Sequence, residues 1–175
     1  ALTIFFLYLT IVFLAKRVVR PSQDGTYTLA KAIAIFGSGV VGAMAYTFSD
    51  TFWFSAVEAE VYAMSSLLTA AVFWMILKWE EEADREYADR WIVLIAFMMG
   101  LSIGVHLLNL LVIPAIAFVY YYKKSPVITT WKSFKVLALS GVILGFILWG
   151  IIPYLPKCAA AFDLLFVNTF GLPFN

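Results

Sequence analysis

The sequence predicts an all-α membrane protein, a polytopic helical bundle of about six membrane segments that includes a short broken-helix pair. Three observations carry this. The 175 residues are 63% hydrophobic and 13% charged, whereas a soluble domain is about 45–50% apolar and about 25% charged. Mean hydropathy is +0.93. The apolar residues are also gathered into stretches close to the roughly 20 that cross the hydrocarbon core as a helix.

The elements follow in order. Four stretches have spanning length or nearly so: 1–15, 29–48, 61–77 and 134–153. The stretch 91–122, "WIVLIAFMMGLSIGVHLLNLLVIPAIAFVYYY", would make a helix of about 48 Å at 1.5 Å per residue, well beyond a core of about 30 Å. A break is expected near Gly100, Gly104, His106, Asn109 and Pro114. Charge placement then decides between one long span and a hairpin, because short cytoplasmic loops collect Lys and Arg. With a hairpin meeting near His106, eleven of the twelve basic residues fall on one side and only Lys157 falls opposite. A single span would strand Lys123, Lys124, Lys132 and Lys135 outside. Trp53, Trp79, Trp91 and Trp131 fall at the expected membrane interfaces.

The opening stretch "ALTIFFLYLTIVFLAKR" reads as the inside of a span rather than as a signal peptide, and the chain stops after "NTFGLPFN" in what reads as a loop. It is therefore expected to be a fragment, 1–175, of one transmembrane domain from a longer protein. A net charge of +1 gives no field for nucleic acid. The single cysteine, Cys158, excludes an internal disulfide framework and a cysteine metal cluster. "KWEEEADREYADR" reads as a solvated, helical loop in which Glu81 with Arg85 and Glu86 with Arg90 have the favourable i,i+4 order. "GSGVVGA", residues 37–43, lies inside a span and lacks the Lys of a phosphate loop, so its small residues are expected to let helices approach closely.

Chemistry is expected on the opposite side, where Asp50, Glu58, Glu60 and Asp163 collect. Ser55 and Glu58 match the S/T-x-x-E capping box at the start of an apolar run. Glu60 lies about 200° around the helix from Glu58 and does not share the capping face. A carboxylate there is costly unless it faces a wet cavity or a partner. Solvation, an unseen basic partner, or the capping of a neighbouring helix also accounts for it. Asp50 in "FSDTFW" is either a helix-start residue or part of the site. His106 and Asn109, three apart at the break, either donate to a phosphate or sugar oxygen or satisfy the broken backbone's own carbonyls. A lone His argues against zinc.

The stretches "FSDTFWFSAVEAEVYAMSSLLTAAVFWMILKWEEE", "GLSIGVHLLNLLVIPAIAFVYYY" and "IIPYLPKCAAAFDLLFVNTFGLPFN" resemble a bacterial, Bacteroidetes-type multi-pass membrane family related to protein O-mannosyltransferases, of the GT-C glycosyltransferase class. The resemblance implies an enzyme of the bacterial inner membrane that transfers a mannose-like sugar from a polyprenyl-phosphate donor at the periplasmic face. The acceptor would be a glycan or a protein Ser or Thr. It places Glu60 at the family's second acidic position, near the acceptor or donor sugar; Glu60 and Asp50 are the candidate catalytic carboxylates, and His106, Asn109, Glu58 and Tyr62 the candidate substrate-binding residues. His106 stands where related enzymes place a polar or basic residue close to lipid phosphate. The family's expected catalytic acid, in the first extracytoplasmic loop, would precede Ala1. No cofactor is implied beyond the donor, membrane lipids are the surrounding partner, and a divalent metal is left open. A transporter or flippase for a lipid-linked or polar solute is the alternative, because broken helices also mark transport sites; a non-catalytic membrane scaffold is the third reading.

Overall fold

The computed structural model describes residues 1–58 and 61–173. Every regular element among them is helical. The chain forms two compact units, Ala1–Ser125 and Pro126–Asn175.

The first unit contains α1 (Leu2–Val18), α2 (Leu29–Thr47), the short α3 (Asp50–Val57), α4 (Tyr62–Glu82), α5 (Asp89–Ile103), a 3-10 turn (Leu107–Val112) and α6 (Ile113–Lys124). Its axis is α4. Ser65, Leu68, Val72, Ile76 and Trp79, spaced by three and four residues, are buried on that helix. That spacing makes one buried stripe, and Ala71 and Leu77, buried on either side of it, widen the contact, so that α4 meets α1, α3, α5, the 3-10 turn and α6. Outward faces carry exposed apolar side chains such as Val93 and Phe97 on α5, the arrangement expected of a surface facing lipid.

Small residues bring α1 and α2 together, as "GSGVVGA" predicts. A Cβ on Gly39 would stand 2.6 Å from Val12 Cγ2 and 2.9 Å from Tyr8 Cε2, and one on Gly42 would stand 2.7 Å from Ile11 Cδ1. Aromatic contacts tie the other helices to α4. Phe6 of α1 lies 5.6 Å from Trp74, Trp91 of α5 meets Trp74 edge-on at 6.2 Å, and Tyr120 of α6 stacks on Trp79 at 5.2 Å. Trp79 sits near the helix end expected of an interfacial ring, but it is fully buried rather than turned to lipid.

The predicted break is present and has a clear local cause. Gly104 ends α5, His106 is extended (φ −162°, ψ 134°), and α6 opens with Pro in its first turn. Proline has no N–H and a fixed φ, so it is tolerated where helix donors have no partner in any case. α5 runs back along α4, and the 3-10 turn with α6 returns: Lys123 at the end of α6 reaches Asp84 in the α4–α5 connection, while His106 lies beside Tyr62 at the start of α4.

Among the described residues, four helical stretches are long and apolar enough to cross a membrane: Leu29–Thr47, Tyr62–Glu82, Leu107–Lys124 and Thr130–Phe170. With 17 and 15 residues, α1 and α5 are shorter than these. Four segments, not the expected six, therefore meet that measure.

The second unit is one helical rod of 41 residues, made of α7 (Thr130–Phe146), a π turn (Ile147–Ile151) and α8 (Ile152–Phe170). The expected span 134–153 lies inside it, but the helix does not stop there. Pro153 and Pro156 are absorbed, and the wide turn just before Pro153 relieves the clash of its ring with the preceding turn. Gly171, with φ 65°, ends the rod because only a residue without Cβ takes that conformation freely.

Candidate functional site

Charge separates the two ends of the first unit. At one end Arg17 of α1 grips Glu80 of α4 through both guanidinium arms. Lys123 lies 2.8 Å from Asp84, and Lys124 donates to the Ala83 carbonyl at 2.6 Å. The hydrogen bond from Lys123, with its charge, holds the Asp84 carboxyl below the usual carboxylate range. Within the α4–α5 connection the pairing differs from the i,i+4 expectation. Glu81 pairs with Lys78 at 2.6 Å, Arg85 approaches Glu82 instead, and Arg90 lies over the Tyr87 ring. The reason is that α4 ends at Glu82, so Glu81 and Arg85 are not one helical turn apart.

The opposite end carries the break. His106 Nδ1 accepts a hydrogen bond from the Leu108 N–H at 3.1 Å and so caps the 3-10 turn. It satisfies a donor of the broken backbone rather than the carbonyls expected from sequence. With Nδ1 occupied as an acceptor, the neutral ring carries its proton on Nε2, which leaves one N–H donor for another group. The ring lies 5.4 Å from that of Tyr62, so the first turn of α4 and the break form one surface.

Asn109 anchors this turn from within. It is completely buried, and its Oδ1 lies 2.6 Å from Thr69 Oγ1. The Thr69 hydroxyl also lies 2.9 Å from the Ser65 carbonyl. One hydroxyl proton cannot serve both acceptors, and turning the amide so that nitrogen faces Thr69 satisfies both contacts. Either orientation leaves one amide atom of Asn109 buried without a partner. A buried polar side chain is costly in this setting and holds the turn to α4 through its one strong bond.

Next to Thr69 is a cavity of ≈ 390 Å³, mostly apolar but with Thr3, Thr10, Tyr46, Ser66 and Thr69 in its lining and Leu108 of the 3-10 turn on its wall. Tyr46 also packs on Phe52 at 4.6 Å, which fixes α3 against the end of α2.

The carboxylates are placed as follows. Asp50 is exposed at the first residue of α3, where an acid favours the helix dipole; Ser49 supplies the cap by accepting from the Phe52 N–H. The Ser55–Glu58 capping box is overturned. Ser55 lies inside α3, and Glu58 is the exposed, extended residue that follows the end of that helix, while α4 begins without a side-chain cap. Ser49 had already started a helix six residues earlier, so the Ser55–Glu58 pattern has no helix to open. Glu60 lies outside the described residues. The structure thus joins Tyr62, His106 and Asn109 around the break and leaves Asp50 and Glu58 on the neighbouring α3 segment. Sequence reasoning missed Thr69, Ser66 and Tyr46. Tyr62, Ser66 and Thr69 recur at four and three residues along one face of α4, and that spacing was the available signal. Among the described residues, no group of three or more His, Cys, Asp or Glu is placed to hold a metal ion.

These features define an all-helical protein with membrane-length helices, a charged end and a polar, helix-broken end. The family model for the protein O-mannosyl-transferase TMEM260 N-terminal domain matches residues 1–129, and the chain belongs to that family. The matched region is nearly coextensive with the first compact unit. Comparison with curated proteins and with solved structures gave no match.

Proposed function

We propose that the chain forms part of an integral membrane glycosyltransferase of the protein O-mannosyltransferase type, GT-C-like in fold, with six membrane segments. It transfers a mannose-like sugar from a polyprenyl-phosphate donor to an acceptor, a protein Ser or Thr or a glycan. The single observation that carries this reading is the family match over residues 1–129; the polar surface at the helix break supports it. The positive-inside rule assigns the Arg17–Glu80 end to the cytoplasm and the break to the extracytoplasmic face, periplasmic in a bacterial inner membrane.

In this reading a carboxylate, Glu60 or Asp50, takes the proton of the acceptor hydroxyl as its oxygen bonds to the sugar's anomeric carbon. The bond from that carbon to the lipid phosphate breaks, and the phosphate leaves with the electron pair. The free Nε2–H of His106 donates to a phosphate oxygen as charge develops there. Tyr62 and Glu58 bind the sugar, and buried Asn109 contributes by holding the turn that presents His106.

The test measures initial rates of sugar transfer from polyprenyl-phosphate mannose by purified, folded wild type, Glu60→Gln and His106→Ala. A loss of at least about a hundredfold in Glu60→Gln is the expectation for a general base. His106→Ala should lose about tenfold or more. Undiminished transfer in both variants would remove these residues from the site.

A further inference from the structure

A second cavity, of ≈ 260 Å³, lies at the charged end between α1 and α4. Leu9, Phe13 and Trp74 form its apolar wall, and its rim carries Lys16, Arg17 and Lys78 against Glu81. Two of these cations are already neutralised: Arg17 by Glu80 and Lys78 by Glu81. Lys16 has no anionic partner among the described residues. The rim is therefore short of one negative charge. The Arg17 guanidinium is held over the Phe13 ring at 4.7 Å, so a donor group beside the cavity is preorganised rather than free to drift.

Phe13 and Leu9 lie three and seven residues before Lys16, on the same side of α1. The cation thus sits at the end of an apolar track that runs along the helix toward the membrane interior. A phosphodiester with one negative charge and an attached acyl chain matches both parts; an inorganic anion would use only the rim. We infer that the α1–α4 cavity binds the headgroup of an anionic phospholipid of the surrounding leaflet, with its phosphate on Lys16 and its acyl chain along Leu9, Phe13 and Trp74. Basic pockets between membrane helices hold anionic headgroups by this combination of charge and apolar wall. The site is separate from the helix break and stands independently of the sugar-transfer reading.

Native mass spectrometry of the purified protein with equimolar phosphatidylglycerol and phosphatidylcholine tests it. Wild type should retain phosphatidylglycerol about fivefold over phosphatidylcholine, the effect of one unpaired lysine at a surface. Lys16→Gln should bring the ratio near parity, and Lys78→Gln, which frees Glu81, should do the same; Lys132→Gln, in the second unit, should leave it unchanged. Parity in wild type, or a preference that survives both Lys16→Gln and Lys78→Gln, would overturn the assignment. So would displacement of phosphatidylglycerol by millimolar inorganic phosphate, which would make this a free-anion site.

Discussion

Asn109 is the residue on which the polar end turns. Fully buried and bonded to Thr69, it ties the 3-10 turn to α4, so Thr69→Val should cost about 1 kcal/mol of stability, the scale of a hydrogen bond between membrane helices. Melting of the purified variant in detergent checks this, and an unchanged midpoint would mean the contact holds nothing. At the other end, Asp84 is held below the ordinary carboxylate range by its hydrogen bond to Lys123. Its folded pKa is depressed, so its contribution to stability is present above the unfolded value of about 3.9 and is lost as pH falls through the lower folded value. Wild type should therefore melt slightly above Asp84→Asn at pH 7, with the gap closing below about pH 4. A gap independent of pH would contradict the pairing. At this scale the sequence was only partly legible. His106 and Asn109 stood out because polar residues are rare in apolar runs, but which backbone group His106 satisfies depends on φ and ψ at the break. The Ser55–Glu58 pattern misled because the same spacing occurs inside a helix and at its start, and only the earlier cap at Ser49 distinguishes the two.

Among the elements, the α1–α2 contact is set by glycine. Gly39 meets the branched Val12 and the ring of Tyr8, whereas Gly42 meets only the movable tip of Ile11. Gly39→Ala should therefore destabilise by about 1–3 kcal/mol through overpacking, and Gly42→Ala by clearly less. Equal effects in a thermal melt would show that close approach does not set this contact. The hairpin of α5 and α6 was legible because 91–122 is too long for one span and its lysines return to the basic side. The rod through Pro153 and Pro156 was not, because proline reads as a helix end in sequence and a π turn that absorbs it leaves no compositional mark. α3 was hidden for a related reason: at eight residues it is too short to show a helical period.

In the proposed topology the basic cluster and the helix break of the first unit lie on opposite faces of the membrane. With Cys158→Ser as background, a membrane-impermeant maleimide should label Val57→Cys and Glu86→Cys from opposite sides of sealed vesicles; labelling of both from one side would mean that α4 does not cross. Fold class was legible from composition alone, since 63% hydrophobic residues leave a chain little alternative to lipid. The site was legible only as a region, because Tyr46 of α2 comes beside Ser66 and Thr69 of α4 through packing that no single stretch encodes. The central claim is sugar transfer at the polar end, and it is tested most directly by reconstituting the protein with labelled polyprenyl-phosphate mannose and a Ser/Thr-rich peptide, then releasing the product by β-elimination. The expected result is label on the peptide that alkali releases as an O-linked sugar. Folded protein that leaves all label on the lipid, across donors and acceptors, would contradict it.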